Sequence, residues 1–220
     1  QICPARNARR AHTLDIEVMP GSTLERLRFQ AVGQDDPLAQ PLLAELAVEY
    51  SGRYGGTAER VMEWLRGHPA DEFAPPGGGL LIGLLDGRPV TGGAFQRYDA
   101  DTAELKRIWT DSGHRRRGYA KRLLVALEAE ITARGYRRIF LTTGHRQPEA
   151  EALYLSSGYR RLALELPAEG DGTVYPIAFE KASATLTATF GFSPARTSFE
   201  GVSESTAVAA GPAATLSCWV

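Results

Sequence analysis

The chain has 220 residues, with 25 Lys and Arg against 26 Asp and Glu and a formal net charge of −1. That size suits one domain with its own core, and that balance gives no electrostatic reason to expect nucleic acid or an anionic membrane as partner. No apolar run approaches the ~20 residues that span a bilayer, Cys3 and Cys218 near opposite ends are no disulfide framework and fit a reducing, cytoplasmic setting, and the four histidines lack metal-ligand spacing, so no metal is expected.

Residues 1–22 are polar and basic and lack the apolar core of a secretory signal. Met19-Pro20 stands just ahead of the first element, so Met19 reads as the natural start, with residues 1–18 an upstream extension. Leu27–Val32 alternates as a first strand. Asp36 then reads as the N-cap and Pro37 as the first position of a helix to about Tyr50, with Leu38, Leu42, Leu43, Leu46 and Tyr50 inward. Gly52 to Gly56 is expected to break it, and Thr57 to cap a shorter helix through Val61, Met62 and Leu65. Pro75–Gly79 reads as a flexible connection to the apolar strand Leu80–Leu85. Asp86-Gly87 signals a two-residue hairpin into Pro89–Arg97, and a turn at Asp99–Asp101 leads to a strand over Ala103–Thr110. Alternation there places Glu104, Lys106, Ile108 and Thr110 on one face and Leu105, Arg107 and Trp109 on the other. A helix over Gly118–Arg134, a strand Arg137–Thr142, a helix Pro148–Ser156 and strands near Tyr159–Leu164 and Val174–Glu180 follow. Gly135 and Gly158 serve as helix stops. Beyond Ala184 only Arg196, Glu200 and Glu204 carry charge. Ala184–Phe192 alternates weakly, and 183–220 reads as a dispensable low-complexity tail. The chain thus divides into 1–22, a domain at 23–182, and the tail.

The turn before the helix at Gly118 is electrostatically unusual. Arg115, Arg116, Arg117, Lys121 and Arg122 crowd a helix N-terminus, which already carries roughly half a positive charge and favours acidic residues. A solvated basic loop is one reading. The other is an anion bound at the turn by free backbone N–H groups and the arginines, with Gly118 admitting it closely. Two familiar phosphate cradles do not apply. Gly113 and Gly118 have Walker-type spacing, but Tyr119-Ala120 follows where Lys-Ser/Thr is required, and no G-x-G-x-x-G occurs.

Arg115-Arg116-Arg117-Gly118-Tyr119-Ala120 resembles the R/Q-x-x-G-x-G/A pyrophosphate signature of the GNAT-type N-acetyltransferases, between the same strand and helix. A second block, Gln147-Pro148-Glu149-Ala150-Glu151-Ala152-Leu153-Tyr154-Leu155-Ser156-Ser157-Gly158-Tyr159, resembles that family's N-x-x-A-x-x-L-Y-x-x-x-G-F/Y helix. The resemblance extends from about Leu24 to Lys181. It implies an α/β (α+β) GNAT fold: a mixed, mostly antiparallel twisted sheet of six or seven strands flanked by about four helices, splayed at its centre for acetyl-CoA.

What the resemblance implies for function is acetyl transfer from acetyl-CoA to a primary amine by direct attack in a ternary complex. Arg115 to Ala120, Tyr119 included, would hold the pyrophosphate, and backbone groups of Ile108, Trp109 and Thr110 the pantetheine arm. Gln147 stands where the family has Asn and keeps an amide for the same arm. Tyr154 is the candidate general acid toward the departing thiolate, against a packing role on an amphipathic helix. Glu104 is the candidate base, against a salt bridge to Lys106 or Arg107. The two helices after the first strand would cover the acceptor, making Tyr50, Arg53 and Tyr54 candidates to touch it, against core aromatic and surface arginine roles. A small-molecule amine is the expected acceptor, since no peptide-reading module is attached. A homodimer is expected by analogy with relatives. Two alternatives stand beside this: a non-catalytic acetyl-CoA-binding sensor or structural module, and a toxin-type acetyltransferase acting on aminoacyl-tRNA, for which a basic face would be needed.

Overall fold

A computed structural model of the protein describes residues 26–163 and 176–183. Among these residues are seven strands, β1 (Arg28–Ala31), β2 (Gly79–Leu85), β3 (Arg88–Arg97), β4 (Thr102–Thr110), β5 (Arg138–Gly144), β6 (Arg160–Arg161) and β7 (Pro176–Ala182), and four α-helices. The helices are α1 (Gln40–Tyr54), α2 (Ala58–Gly67), α3 (Tyr119–Ala133) and α4 (Pro148–Ser156). The strands form one sheet in the order β1-β2-β3-β4-β5-β7-β6. All neighbours are antiparallel except β4 and β5, which run parallel. This is the mixed, helix-flanked sheet expected from the sequence. The expected ends at Leu164 and Val174, the extension 1–22, the strand at Ala184–Phe192 and the tail beyond Ser183 lie outside the described residues.

Local chemistry accounts for most element boundaries. Asp86 and Gly87 both take positive φ, 51° and 78°, the backbone of the hairpin turn that matches strand twist. The Thr57 hydroxyl accepts from the Arg60 N–H and caps α2 as predicted, whereas the Asp36 side chain, accepting from the Leu38 N–H, caps a 3-10 turn at Pro37–Ala39 that leads into α1, itself without a side-chain cap. α3 buries Leu123, Leu124, Leu127 and Ile131 on one face of the sheet, and α1 buries Leu42, Leu43 and Leu46 on the other. Adjacent glycines in β3 let both helices approach. A Cβ at Gly92 would lie 2.8 Å from the Leu42 side chain, and one at Gly93 3.1 Å from that of Leu127.

Three expectations are corrected. α1 does not stop at Tyr50 but runs through Gly52 to Tyr54, closing at Gly55 with φ 92°; a single helical glycine costs only ~1 kcal/mol. Pro75–Gly79 is packed rather than loose. The Tyr136 hydroxyl donates to the Gly77 carbonyl at 2.7 Å, and a Cβ on Gly78 would meet the Glu72 carbonyl oxygen at 1.9 Å. The alternation predicted for β4 fails because a bulge interrupts it. Gly92 faces Trp109 and Ala94 faces Lys106, one residue extra on β4, and Arg107 takes φ 58°. A bulge switches faces beyond it. Leu105 joins the core under α3, whereas Trp109 joins the core under α1 and α2. Ile108 packs with Leu105's core, and Arg107 reaches Leu65 and Gln34 on the α1–α2 side.

Candidate active site

The ladder between β4 and β5 holds for four residue pairs, from Thr102 with Arg138 to Leu105 with Leu141. Beyond Leu105 the two strands part, and a cavity of about 910 Å³ opens between them. Its walls include β4 from Leu105 to Thr110, Thr142 and Thr143 of β5, and α4 residues down to Tyr154. Freed from β5, the β4 main chain here can pair with an extended ligand.

One end of the cleft is the basic turn. The Asp111 carboxylate accepts from the Gly113 N–H at 3.0 Å and lies 2.5 Å from His114 Nδ1, and its bond to His114 holds it below the usual carboxylate range despite partial burial. Arg115 turns back, donating to the Thr110 carbonyl at 3.2 Å and to Glu49 Oε2 at 2.6 Å. Arg116 and Gly118 take φ 62° and 82°. α3 then starts with no side-chain cap and no acidic residue in its first turn. The first backbone bond of α3 runs from Arg122 N to Gly118 O, so the N–H groups of Tyr119, Ala120 and Lys121 have no partner within the helix. Arg116 and Lys121 line the cleft, and neither has a carboxylate within ion-pair distance among the described residues. An uncapped N-terminus flanked by uncompensated cations is a fit for a pyrophosphate. Arg117 stands apart. It donates to the Gly113 carbonyl at 3.2 Å and is not on the cleft wall.

Tyr154 lies on that wall, packed against Tyr159 and Phe179 with ring centroids 5.8 and 5.6 Å away. Burial, reinforced by nearby Tyr50, pushes its phenol above the ordinary tyrosine value. Its hydroxyl has no hydrogen-bond partner among the described residues, so a protonated donor stands at the cleft. Gln147 is tied within the protein, accepting from Thr143 Oγ1 at 3.3 Å and donating to the Tyr54 hydroxyl at 3.1 Å. That leaves one amide N–H for a ligand. Ile108, Trp109 and Thr110 all line the cleft, as do Gly118, Tyr119 and Ala120. Trp109 Nε1 is anchored on Glu45 at 3.2 Å.

The other end lies beneath α1 and α2. Of the three acceptor candidates, Tyr50 is on the wall, but Arg53 and Tyr54 are not. Because α1 continues past Tyr50, these two stay helical and reach α4 instead. Arg53 pairs with Glu149 and with Glu49 and donates to the Arg146 carbonyl, while Tyr54 receives Gln147. Glu104 is buried and also off the wall. Lys106 Nζ lies 2.8 Å from its Oε1, the salt bridge weighed against a base role, and Gln96 Nε2 donates to its Oε2 at 3.1 Å.

That amide fixes a further polarity. With Gln96 Nε2 donating to Glu104, Gln96 Oε1 must accept, so His68 Nε2, 2.9 Å away, carries the proton. Glu72 lies 2.8 Å from the same nitrogen. His68 stacks on Phe73 at 5.0 Å, lines the cleft, and in its neutral form offers Nδ1 as a base. Trp64, His68, Phe73, Lys106 and Arg107 also line the cleft and were not among the candidates the sequence offered. Only the adjacent Lys106 and Arg107, with Glu104 nearby in a strand that is otherwise apolar between its terminal threonines, gave a signal in the sequence.

Among the described residues no cluster of His, Cys, Asp or Glu could hold a metal ion, and no helix is long and apolar enough to cross a membrane.

A family model described as the acetyltransferase (GNAT) family matches residues 41–159. No curated protein matches the chain in sequence. Among solved structures, a protein from Klebsiella pneumoniae subsp. pneumoniae, provisionally assigned as an acyl-CoA N-acyltransferase, is 24% identical, with a TM-score of 0.55 over 72% of this chain and 98% of its own. A GNAT family acetyltransferase from Elizabethkingia anophelis with acetyl-CoA bound is 16% identical, with a TM-score of 0.50 over 72% of this chain and 99% of its own. A provisionally assigned acetyltransferase from Salmonella typhimurium, solved with its cofactor acetyl-CoA, is 13% identical, with a TM-score of 0.55 over 74% of this chain and 97% of its own. At these identities the likenesses establish the fold.

Proposed function

As the chain belongs to the acetyltransferase (GNAT) family, we propose that it carries the acetyl group of acetyl-CoA to the primary amine of a small molecule by direct attack in a ternary complex. The observation that carries this reading is the parted pair β4 and β5, with an uncapped helix N-terminus at one end of the gap and Tyr154 on its wall. The Elizabethkingia and Salmonella proteins of the same fold hold acetyl-CoA, which supports the same ligand here.

In this reading the N–H groups of Tyr119, Ala120 and Lys121, with Arg116 and Lys121, bind the pyrophosphate, and the freed main chain of Ile108, Trp109 and Thr110 receives the pantetheine arm. Holding the thioester there turns a bimolecular attack into a positioned one. The amine nitrogen bonds to the thioester carbonyl carbon and the C–S bond breaks. Tyr154 gives its proton to the leaving sulfur, burial having kept the phenol protonated up to that point. The proton lost by the amine goes to His68 Nδ1. Gln96, Glu104 and Glu72 hold that ring by its other nitrogen, so Glu104 acts at one remove rather than on the amine.

Thermal unfolding with acetyl-CoA, CoA or ATP tests the cofactor end. Ligand at ~100 times its Kd stabilises by ~2.7 kcal/mol, so acetyl-CoA and CoA should raise Tm by several degrees and ATP should not. Release of free CoA thiol with a panel of amines tests the chemistry. Binding without thiol release for any amine would leave a sensor and overturn the enzymatic reading.

A further inference from the structure

We propose that the acceptor carries a carboxylate beside its amine, and that Arg107 receives it; this rests on the reading of the cleft as an acetyl-transfer site. Arg107 is the residue that the β4 bulge re-aims. Its φ of 58° is in the left-handed region, which a non-glycine residue seldom adopts without cause. The bulge turns the side chain to the α1–α2 side of the sheet, where it lines the acceptor end of the cleft.

What it meets there is unusual for a guanidinium. Arg107 is only 9% exposed. It donates to Gln34 Oε1 at 2.6 Å and to the Leu65 carbonyl at 2.5 Å, and its charge lies 4.4 Å over the Phe73 ring. Both oxygens belong to neutral groups. Among the described residues no carboxylate lies within ion-pair distance of it, whereas Lys106 and Arg115 on the same wall have Glu104 and Glu49. A guanidinium has five N–H donors, so the two bonds named leave capacity for a bidentate acceptor. Tyr50, Trp64 and Phe73 surround this end with ring surface, which lowers the local dielectric and strengthens any charge pairing. Burial pushes the guanidinium down to about 10, in keeping with a cation that lacks an anionic partner.

A purely architectural role, stitching Gln34 in the loop after β1 to the end of α2, needs hydrogen bonds but no charge. A buried, unpaired cation is costly unless something pairs it. In an acetyltransferase cleft the missing partner is an anionic group on the second substrate. Carboxylate and phosphate both match the planar fork, and a singly charged carboxylate balances one guanidinium where a phosphate group, at about −1.5 to −2, would leave charge uncompensated. An amine with a carboxylate nearby is an amino acid or a close relative of one.

The test uses the full chain saturated with CoA, so that no turnover occurs. Binding is measured by calorimetry for matched sets: an L-amino acid, its primary amide, and the amine lacking the carboxyl group, across aromatic, aliphatic and cationic side chains. In at least one set the carboxylate member should bind about 10- to 150-fold tighter than both partners, the scale of a hydrogen bond to a charged group. Arg107→Met should erase that ratio and Arg107→Lys should retain part of it, both variants keeping the thermal shift with acetyl-CoA. The wild-type comparison stands even where a variant does not fold. Equal binding within every set, or binding of none, overturns the proposal, as does a preference that survives in Arg107→Met. Thiol release with the preferred set separates the two readings. A carboxylate preference without thiol release sinks acetyl transfer but not the recognition, and thiol release indifferent to the carboxylate sinks the recognition alone.

Discussion

The end of the cleft at α3 comes from one continuous run, Thr110 to Lys121, and works largely through main-chain N–H groups. The end beneath α1 and α2 draws Gln34, Tyr50, Leu65, His68, Phe73 and Arg107 from scattered places and works through side chains. On the proposed reading, the contrast follows from what each end would bind. A pyrophosphate is the same in every acetyl-CoA, so a turn with the right glycine would suffice for it. An acceptor is particular, and the end assigned to it is assembled by tertiary packing, with a bulge that breaks the strand's own alternation.

The variant expected to have the largest effect sits between the two ends. Tyr154→Phe should lower kcat by about 10²- to 10⁴-fold while acetyl-CoA still raises Tm. Because burial raises the phenol above its ordinary value of ~10, the acid form persists as pH rises. The wild-type rate should therefore show no descending limb from this group up to about pH 10, and a limb near neutrality that vanishes in Tyr154→Phe would contradict the assignment. Next comes Gly118→Val, which breaks the cofactor end alone. A β-branched residue at φ 82° is strained by about 1–2 kcal/mol, and its bulk blocks the turn. The thermal shift with acetyl-CoA should disappear while amino acid binding to the protein persists. On the acceptor side, Gln96→Leu cuts His68 from Glu104. It should lower kcat by about tenfold, ~1.4 kcal/mol in the barrier, with acetyl-CoA affinity unchanged.

Smaller effects concern the contacts that join the two ends. Arg53→Ala removes the pairing of α1 with Glu149 and the Arg146 carbonyl. For partly exposed charges this costs about 0.2–1 kcal/mol, read as a small drop in the urea midpoint. Smallest is the acid limb of stability. Asp111, bonded to His114, and Glu149, bonded to Arg53, both titrate below their ordinary values. The folded chain then holds these protons more weakly than the unfolded one. Their contribution is full above about pH 4 and fades as pH falls through the folded values. Asp111→Asn with Glu149→Gln should flatten that limb in urea titrations between roughly pH 5 and 3.

The fold was legible where one local rule dominated. Asp36, Thr57, Asp86-Gly87 and Gly135 each announced an end or a turn, and Arg115–Ala120 and Gln147–Tyr159 marked two stretches that the structure brings to one cleft. What stayed hidden was non-local. The β4 bulge depends on how Gly92 and Ala94 register against Lys106 and Trp109, so alternation put Arg107 and Leu105 on one face when they lie on opposite ones. Gly52 looked like a helix stop, yet packing of α1 on the sheet carried the helix on to Tyr54, which turned Arg53 and Tyr54 from acceptor candidates into links to α4. His68 and Phe73 belong to no motif, and only their stacking beside Gln96 brings them to the cleft.

β7 is the last described strand in the chain but is not at the edge of the sheet. It lies between β5 and β6, contributes Phe179 to the packing around Tyr154, and sends Lys181 to Glu128 of α3, at 2.8 Å, and to the Ser157 carbonyl at the end of α4, at 2.9 Å. During synthesis the free edge of β5 and the ring of Tyr154 must therefore wait for it. The interval of roughly 25 residues between Tyr154 and Phe179 corresponds to about one to five seconds at ~5–20 residues per second. For that time the nascent chain presents an open strand edge next to an unfinished core, the kind of surface that chaperones hold and that neighbouring chains on the same messenger can capture.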